Sequence, residues 1–593
     1  MSNVSLVING VNVEVERDTT VLDAARSIGV KIPTLCHVNL DNKGTKNNCA
    51  SCRVCMVESG RGLIPSCATL VKDKMNIKTH SAKAINARKT IVELMLSDHP
   101  QDCLTCDKNN NCELQKIAAE LGIREIRYQG QKTCLPKDVS SKSIVKDFDK
   151  CILCRRCEKV CNEIQSVGVL SGVNRGFETV VGTFFDTDLA DSDCTFCGQC
   201  IAVCPTAALT EVNNIPKVWN LLDKYNDSTV VQVAPAVRVA IGEEFGLEPG
   251  SISTGKLASA LRALGFKYVF DTNFSADLTI MEEATEFIDR FTKNENLPMF
   301  TSCCPGWINF IEKHYEEYLH LPSTCKSPQE MFGAIAKHYF APKINLTPND
   351  LKVVSIMPCV AKKYEASREE LGLDGVSDVD VVITTRELAK MIREAGIDFN
   401  KLPDSNFDSP LGLSTGASDI FGTTGGVLEA ALRTAYEFIT KTPLDALDFT
   451  ALRGLEGIKE ASVNINGTEV KVAVASSLGN ARKLLEEIKA GNCEYHLIEV
   501  MACPGGCING GGQPYHNGDY DIINKRSQGL YNIDANKPLR KSHENPDIQI
   551  LYSEYLGNPG GHIAHELLHT HYVDRSNLFT SNDGCEKELA TNN

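Results

Sequence analysis

Residues 352–365 read KVVSIMPCVAKKYE, an apolar run that leads into a cysteine. A short apolar run of this kind predicts a buried strand of a parallel sheet, and such sheets bind their ligands at the carboxyl ends of the strands. Two more runs have the same form, PMFTSCC over residues 298–304 and LIEVMAC over residues 497–503. We therefore expect the cysteines that end the three runs to line one crevice. Buried structural cysteines are the alternative, and three matching strand ends argue against it.

The sequence around these runs predicts a large α/β domain over residues 220–593. Strand-like runs such as KYVF and VKVAVAS alternate with helical stretches throughout this region, which indicates a largely parallel sheet. The last cysteine run continues as CPGGCINGGGQ over residues 503–513. Its glycines let the backbone approach a bulky group closely.

The sharpest metal-binding pattern is a pair of runs with the spacing C-x2-C-x2-C-x3-C, in a predicted domain over residues 140–215. This is the spacing of bacterial two-cluster ferredoxins, in which the fourth cysteine of each run binds the cluster of the other run. One predicted [4Fe–4S] cluster is therefore held by Cys151, Cys154, Cys157 and Cys204. The second is held by Cys194, Cys197, Cys200 and Cys161. Paired zinc sites are the alternative, but zinc motifs usually combine one C-x2-C pair with a distant second pair.

Residues 81–126 predict a small, mostly helical domain with a third [4Fe–4S] site. Its ligands would be one histidine and three cysteines: His99, Cys103, Cys106 and Cys112. A neutral imidazole in place of a thiolate makes a cluster less negative, which should raise its reduction potential. A surface histidine beside a three-cysteine zinc site is the alternative.

Residues 1–80 predict a [2Fe–2S] domain of the β-grasp type. An Asn9-Gly10 turn indicates a hairpin, and Thr20 and Gly29 bound a predicted helix. The predicted ligands are Cys36, Cys52, Cys55 and Cys67. The stretch CASCRVC leaves an alternative open, because Cys49 could replace Cys52 or Cys55. Four cluster sites in a row predict an electron-transfer wire that ends at the large domain.

Composition narrows the classes of function. The 593 residues carry a net charge of −15, which argues against nucleic-acid binding because phosphates require a basic surface. No apolar run approaches the roughly 20 residues of a membrane span, and the first residues lack the features of a signal peptide. The 25 cysteines cluster at metal-ligand spacings, unlike the disulfide framework of a short secreted chain. We expect a cytoplasmic protein, or one inside an organelle.

Three motifs carry a resemblance to a known family. TSCCPGW, MPCVAKKYE and MACPGGCINGGGQ resemble the three signatures of the [FeFe]-hydrogenases, and the four accessory motifs resemble the long form of that family in the same order. The resemblance covers essentially the whole chain. It implies an H-cluster, in which a [4Fe–4S] cube is joined through one cysteine to a di-iron unit with carbon monoxide, cyanide and azadithiolate ligands. It also implies a large domain of two mostly parallel-sheet lobes and the reaction 2H⁺ + 2e⁻ ⇌ H₂.

The resemblance implies roles for residues around the H-cluster. The cube would be held by Cys304, Cys359, Cys503 and Cys507, and Cys507 would also bridge to the di-iron unit. Lys362 would bond to a cyanide ligand, and Met357 and Met501 would pack against the di-iron unit. Ala234 and Pro235 would offer backbone near the other cyanide. Some family members have serine where this chain has Ala236, so a side-chain bond is lost there.

A proton relay is also implied by the resemblance. Its members would be Cys303, Glu283, Ser323, Glu286 and Arg290. Read alone, the two glutamates and the arginine share one helix face and would indicate a solvated charge stripe. The thiol of Cys303 would take the proton from the bridging amine, so it must be protonatable and cannot be a metal-bound thiolate.

Other functions fit parts of the chain. An electron-transfer subunit like the large iron–sulfur subunit of respiratory complex I would share the first three domains in part, but it would lack the strand-end motifs. A hydrogen sensor would share the fold, but sensors tend to alter the relay, which is present here. HELLH over residues 565–569 matches the zinc-protease pattern without its usual third ligand.

The expected partners follow from the redox reaction. They are a ferredoxin or flavodoxin-like electron carrier, or a flavin/NAD(P) subunit, together with the maturation proteins that build the di-iron unit. We expect no nucleic acid and no membrane among them. The direction of the reaction stays open at this point.

Overall fold

The computed structural model describes residues 3–47, 50–60, 62–444 and 446–576. Cys49, the alternative [2Fe–2S] ligand, lies outside the described residues. Within the described part of the chain, no helix is both long and apolar enough to cross a membrane.

A mixed five-stranded sheet with one packed helix forms the N-terminal region, in agreement with the β-grasp prediction. The region contains β1 (Asn3–Ile8), β2 (Val11–Glu16), α1 (Val21–Ser27), β3 (Val38–Asn39), β4 (Lys46–Asn47), β5 (Met56–Ser59), β6 (Gly62–Pro65) and β7 (Asn76–Lys78). Strands β3 and β4 form a separate antiparallel pair beside the sheet. The strand order is β2-β1-β7-β5-β6, with β1 parallel to β7. Asn9 and Gly10 both have positive φ, 52° and 86°, as the predicted type I′ turn requires. The hydroxyl of Thr20 accepts from the amide of Asp23 and caps α1.

Two small units connect this sheet to the large domain. The first contains α2 (Ala82–Asp98) and α3 (Glu113–Glu120). The second contains β8 (Ile144–Lys146), α4 (Arg156–Lys159), β9 (Ser171–Val173), β10 (Val180–Gly182), α5 (Gln199–Val203) and β11 (Leu209–Glu211). Its strands form two short antiparallel pairs, β8 with β11 and β9 with β10. Most of its length is cysteine-bearing loop.

The large domain contains two four-stranded sheets flanked by helices. Its first half comprises α6 (Ile215–Lys224), β12 (Thr229–Val233), α7 (Thr254–Ala263), β13 (Tyr268–Asp271), α8 (Thr272–Lys293), β14 (Met299–Phe300), α9 (Pro305–His314), α10 (Pro328–Ile335), α11 (Ala341–Lys343), β15 (Lys352–Met357) and α12 (Ala361–Glu365). Its second half comprises β16 (Val381–Thr384), α13 (Thr385–Glu394), α14 (Gly416–Asp419), α15 (Gly426–Thr440), β17 (Ile458–Ile465), β18 (Thr468–Ser476), α16 (Leu478–Lys489), β19 (Leu497–Met501), α17 (Tyr520–Asn536), α18 (Pro546–Leu551) and α19 (His562–Leu568).

Both sheets are mostly parallel, which confirms the prediction of two such lobes. One sheet has the order β13-β12-β15-β16, and all of its pairs are parallel. The other has the order β14-β19-β18-β17, in which only β17 with β18 is antiparallel. Apart from the antiparallel edge strand β17, which has exposed polar residues along its length, the strands are largely buried on both faces, and this explains their continuous apolar sequences. Their carboxyl ends supply the loops of the candidate site.

Candidate active site and cluster sites

The strand-end cysteines meet between the two sheets. Strands β14 and β19 of one sheet lead to Cys304 and Cys503, whereas β15 of the other sheet leads to Cys359. Burial raises the pKa of the Cys503 thiol, and the nearby thiols of Cys359, Cys304 and Cys507 raise it further. The crevice expected from the sequence therefore exists, and residues from two facing sheets build it.

The chemistry of these four side chains fits an iron–sulfur group. None of them forms a disulfide, and together they present soft sulfur donors of the type that iron–sulfur clusters use. The loop around Cys507 requires glycine. Gly506 has a φ of +101°, and a Cβ there would lie 2.6 Å from the amide nitrogen of Thr424. A Cβ on Gly510 would lie 2.2 Å from the carbonyl oxygen of Pro358. A larger residue at Gly506 or Gly510 would push the neighbouring backbone segments apart and so displace the thiol of Cys507.

Lys362 extends along this crevice from α12. Its ammonium donates to the carbonyl oxygen of Cys303 at 3.1 Å and to the carboxylate of Glu365 at 2.8 Å. Glu365 also accepts from the hydroxyl of Ser327 at 2.9 Å and from the amide of Gln329 at 3.1 Å. Glu365 holds the Lys362 ammonium in place, and it was not among the site residues predicted from the sequence. The signal was its position three residues after Lys362 on one helix face.

Cys303 occupies a different environment from Cys304. Burial raises the pKa of the Cys303 thiol well above its usual range, and the carboxylate of Glu283 raises it further. Glu283 itself is 1 % exposed, and within the described residues neither of its carboxylate oxygens has a hydrogen-bond partner. Burial raises the pKa of Glu283 to about 8, with Glu286 adding to the shift. Both groups therefore carry a proton at neutral pH.

A connected hydrogen-bond chain joins the other three relay candidates. The hydroxyl of Ser323 donates to Glu286 at 2.7 Å, and the guanidinium of Arg290 donates to the same carboxylate at 2.6 Å. Arg290 also donates to the carbonyl oxygens of Leu321 at 2.9 Å and Pro322 at 3.0 Å. These hydrogen bonds fix the carboxylate of Glu286 at the outer end of the candidate proton relay.

The remaining candidates lie where the strands end. Ala234 and Pro235 follow β12, and the amide of Ala234 donates to the carbonyl of Ile356 at 3.0 Å. Met357 ends β15 and Met501 ends β19, and each is 2 % exposed. The structure therefore brings apolar side chains from both sheets, and the backbone that follows β12, to the crevice.

The crosswise arrangement of the two ferredoxin-like runs is visible in the structure. Cys151, Cys154 and Cys157 line one cavity together with Cys204 from the second run, and its other walls are mostly apolar. Burial raises the pKa of the Cys197 thiol, with Cys194 and Cys161 raising it further. Each group thus combines three thiols of one run with the fourth of the other.

The predicted [2Fe–2S] ligands also converge. The sulfurs of Cys55 and Cys67 are 3.3 Å apart, and the amide of Cys36 lies 3.4 Å from the sulfur of Cys52. Contact with the Cys36 side chain lowers the pKa of the Cys52 thiol to about 7. The four thiols therefore form one group at the bottom of the N-terminal sheet.

His99 is available as a ligand. Its Nδ1 atom contacts the carbonyl oxygen of Pro100 at 2.7 Å, whereas its buried Nε2 has no partner within the described residues. An imidazole that is fixed through one nitrogen leaves the other free for a metal. Cys106, the second cysteine of this group, lies 3.5 Å from the ammonium of Lys150.

The cluster sites are arranged as a fork, although the sequence order suggests a single row. The amide of Asn47 donates to the carbonyl of Cys36 at 2.7 Å and to that of Cys154 at 3.1 Å, so the [2Fe–2S] group adjoins the Cys154 group. Lys108, which lies between Cys106 and Cys112 of the His99 group, donates to the carbonyl of Cys204. Both outer groups therefore meet the same ferredoxin-like site.

The inner end of the fork reaches the large domain. A Cβ placed on Gly306 of α9 would lie 3.5 Å from the Cβ of Cys197. The thiol of Cys197 also acts on the pKa of Cys503, which burial already raises. The second ferredoxin-like site is thus adjacent to the crevice of Cys304 and Cys503.

The HELLH segment lies beside the relay. His569 contacts Glu282 at 3.1 Å through Nε2 and the hydroxyl of Thr324 at 2.8 Å through Nδ1. Its ring stacks on that of His565 with centroids 4.9 Å apart. Both nitrogens of His569 are thus engaged in holding α19 against α8.

Known proteins share both the sequence and this architecture. The family described as "Iron only hydrogenase large subunit, C-terminal domain" matches residues 227–511. Over 587 residues the chain is 54% identical to "NADP-reducing hydrogenase subunit HndD" of Solidesulfovibrio fructosivorans, covering 98% of this chain and 100% of that protein. It is 42% identical to "Iron hydrogenase 1" of Clostridium pasteurianum, covering 96% and 99%. This chain belongs to the [FeFe]-hydrogenases.

Further matches extend along this [FeFe]-hydrogenase. They are the iron hydrogenase small subunit at residues 520–575, a 4Fe-4S dicluster domain at 150–208, an NADH-ubiquinone oxidoreductase-G iron–sulfur binding region at 88–127 and a 2Fe-2S binding domain at 1–82. A solved variant of apo [FeFe]-hydrogenase HydA1 from Chlamydomonas reinhardtii is 45% identical, with a TM-score of 0.56 over 61% of this chain and 99% of that one. Residues 88–127 match a respiratory iron–sulfur region, but residues 227–511 and 520–575 match hydrogenase domains, so the chain is not an electron-transfer subunit of the complex I type.

The cofactor set follows from family membership and from the domains present. The hydrogenase uses an H-cluster, one [2Fe–2S] cluster and three accessory [4Fe–4S] clusters. The cysteine and histidine groups described above supply enough sulfur and nitrogen donors for all of them.

Proposed function

We propose that this hydrogenase catalyses 2H⁺ + 2e⁻ ⇌ H₂ at an H-cluster held by Cys304, Cys359, Cys503 and Cys507. The convergence of these four buried thiols between two sheets carries the proposal. When bound, the H-cluster supplies the iron at which protons and electrons combine. Cys507 would also be the thiolate shared with the di-iron unit, as the likeness of its motif to the family signature implies.

The surrounding side chains hold and move the proton. Cys303 and Glu283 are both protonated at neutral pH, since burial raises the pKa of each. Ser323 passes a proton between the buried Glu283 and the outer Glu286, to which it is hydrogen-bonded. Arg290 holds Glu286 in place. Water is otherwise excluded from the path, because Glu283 and Ser323 are buried.

Other residues orient the active-site group. The Lys362 ammonium is placed to donate to an anionic cyanide ligand, as a cation near an anion favours. Met357 and Met501 provide an apolar wall, and Ala234 and Pro235 provide backbone at the opposite side.

Each accessory cluster has its own proposed set of four ligands. The [2Fe–2S] cluster is held by Cys36, Cys52, Cys55 and Cys67. The outer [4Fe–4S] cluster is held by His99, Cys103, Cys106 and Cys112. The two inner clusters are held by Cys151, Cys154, Cys157 and Cys204, and by Cys194, Cys197, Cys200 and Cys161.

We infer that the chain works as the catalytic subunit of an NAD(P)-linked hydrogenase. The support is 54% identity over the full length of a relative named as an NADP-reducing hydrogenase subunit. A ferredoxin-like carrier is the second candidate. It is favoured by the exposed Cys103 beside Leu104, which is 93% exposed, because a small carrier could approach the outer cluster there. A cytoplasmic location suits either partner.

Anaerobic purification of the matured chain, with and without co-purifying subunits, tests both the proposed reaction and the proposed NAD(P)-linked partner. The chain alone should evolve H₂ from reduced viologen, and NADP⁺ should be reduced by H₂ only when a partner subunit is present. Absence of viologen-dependent H₂ evolution in a fully matured sample would refute the hydrogenase reaction. Reduction of ferredoxin as rapid as that of viologen, without any NADP⁺-active complex, would favour the second candidate.

A further inference from the structure

Lys146 is a buried cation without an evident counter-ion. It lines the cavity of Cys151, Cys154, Cys157 and Cys204, and the residue is 3% exposed. Within the described residues its ammonium has no hydrogen-bond partner. The centroid of the Phe148 ring lies 4.2 Å from it. An aromatic face offsets only part of the cost of burying a charge, so a further negative group is needed nearby.

The charge of Asp138 favours the ammonium of Lys146, but no hydrogen bond or ion pair joins the two side chains within the described residues. Asp138 pairs with Lys146 through the backbone alone, with both amide-to-carbonyl distances at 2.9 Å. One carboxylate oxygen of Asp138 accepts from the amide and hydroxyl of Ser140, and the other accepts from the amide of Leu189. The strand pairing therefore fixes Lys146 in place without neutralising it.

Three other buried lysines beside cysteine groups do have protein partners. Lys150 pairs with Asp102 at 3.1 Å, and Lys313 donates to the carbonyls of Ser192 and Cys194 at 2.7 and 3.1 Å. Lys108 donates to the carbonyl of Cys204. Lys146 differs from these three because its ammonium has no hydrogen-bond partner within the described residues. The cysteine thiolates that line the same cavity are the groups that can balance its positive charge.

We propose that Lys146 is the counter-charge of the cluster held by Cys151, Cys154, Cys157 and Cys204, and that it raises the reduction potential of this cluster. This inference rests on the cluster assignment in the proposed function. Each reduction adds one electron and no proton, so the thiolate-bound cluster becomes more negative. A fixed positive charge in a buried site stabilises that reduced form.

The position of this cluster gives its potential a functional consequence. Both outer groups meet it, through Asn47 and through Lys108. A higher potential at the junction makes it the place where electrons from either branch collect. Lys146 lines the cavity of the junction cluster, whereas Cys200 of the next cluster is not among the residues that line it.

Redox titration of the whole chain, followed by electron paramagnetic resonance, tests the proposal. Lys146→Met keeps the length of the side chain and removes its charge, and Lys142→Met is a matched control at an exposed lysine four residues away. At the wild-type midpoint potential, Lys146→Met should lower the reduced-to-oxidised ratio of the junction cluster roughly tenfold, which corresponds to about 59 mV for one electron. Lys142→Met should cause no shift, and Lys146→Arg should restore the wild-type potential.

The other outcomes also decide the question. The proposal is overturned if Lys146→Met keeps all cluster signals at the potentials of Lys142→Met, or if Lys146→Arg shifts the potential as far as Lys146→Met does. Lys146→Gln is a second neutral variant in case the methionine variant loses its cluster. Cluster loss in both neutral variants but not in Lys146→Arg supports the counter-charge, whereas loss in all three shows a packing role and overturns it. Absence of the junction signal in the wild type would instead refute the cluster assignment.

Discussion

The ammonium of Lys362 lies 2.8 Å from the carboxylate of Glu365, and both side chains are almost fully buried. The same ammonium donates to the carbonyl of Cys303. Glu365 thus orients the lysine that faces the active-site crevice, although it does not itself line the row of cysteines. Lys362 and Glu365 therefore lie next to two residues with different proposed roles. Cys359 is a candidate cluster ligand, and Cys303 is the innermost member of the candidate proton relay.

Glu365→Gln should weaken catalysis without removing the lysine. Loss of a residue that orients a ligand-contacting side chain typically reduces activity about 10- to 100-fold. The variant also leaves a buried ammonium uncompensated, which should lower the free energy of unfolding by about 3–5 kcal/mol. Hydrogen evolution and thermal unfolding measure the two effects. Glu369→Gln, at an exposed position on the same segment, is the control and should match the wild type. Equal activity in both variants would contradict the orienting role.

Ser323→Ala should interrupt the proton path. The substitution removes the hydroxyl that donates to Glu286 at 2.7 Å, and positioned proton transfer contributes about 10²–10⁴-fold to rates. Hydrogen evolution should fall within that range while the iron content stays constant. Ser367→Ala, which removes an exposed hydroxyl, should leave the rate unchanged. A wild-type rate for Ser323→Ala would show that protons take another route.

The pKa of about 8 for buried Glu283 predicts a pH-dependent stability. This carboxyl has a higher pKa in the folded state than in the unfolded state, so its contribution is fully present below the unfolded value of 4.5 and is lost as the pH rises through about 8. Glu283→Gln mimics the protonated form. Relative to the wild type, it should gain stability as the pH is raised from 6 to about 8, by up to about 1.4 kcal/mol per pH unit, and the difference should level off above 8, where the carboxyl is ionised in both states.

Thermal unfolding of Glu283→Gln and wild type across this pH range measures the effect. Glu295→Gln, at an exposed glutamate, is the control and should show no such divergence. Parallel pH profiles for Glu283→Gln and the wild type would mean that Glu283 is ionised in the folded protein.

His99→Cys should lower the potential of the outer [4Fe–4S] cluster. A fourth thiolate adds negative charge where the neutral imidazole stood, which disfavours reduction. Redox titration of the cluster signal measures the shift. His80→Cys, which adds a thiol at an exposed position of the neighbouring segment, controls for the extra cysteine. An unchanged potential and signal in His99→Cys would show that His99 is not a ligand.

Local chemistry made much of the architecture predictable from the sequence. The Asn9-Gly10 turn, the Thr20 cap and the apolar strand runs each have one well-defined structural outcome, and the cysteine spacings encode the ferredoxin-like loops. The crosswise pairing of Cys204 with the first run was predictable for the same reason.

Relationships between distant segments were not predictable in this way. Asn47 contacts both Cys36 and Cys154, which lies 107 residues further along the chain than Asn47, and no local pattern reveals that the wire forks there. Lys146 has an ordinary strand sequence around it, and its burial beside Cys151 depends on how the loops fold over it. Tertiary packing alone determines such contacts.

The central claim is that the adjacent cysteines have different roles: Cys304 binds the [4Fe–4S] cube, and Cys303 carries a proton. Infrared spectroscopy of anaerobically matured protein tests it most directly, because carbon monoxide and cyanide ligands absorb where protein does not. We predict ligand bands in the wild type and in Cys303→Ser, with turnover lost in Cys303→Ser, and no bands in Cys304→Ser. A matured wild type without these bands, or a Cys303→Ser variant that loses them while Cys304→Ser keeps them, would contradict the account.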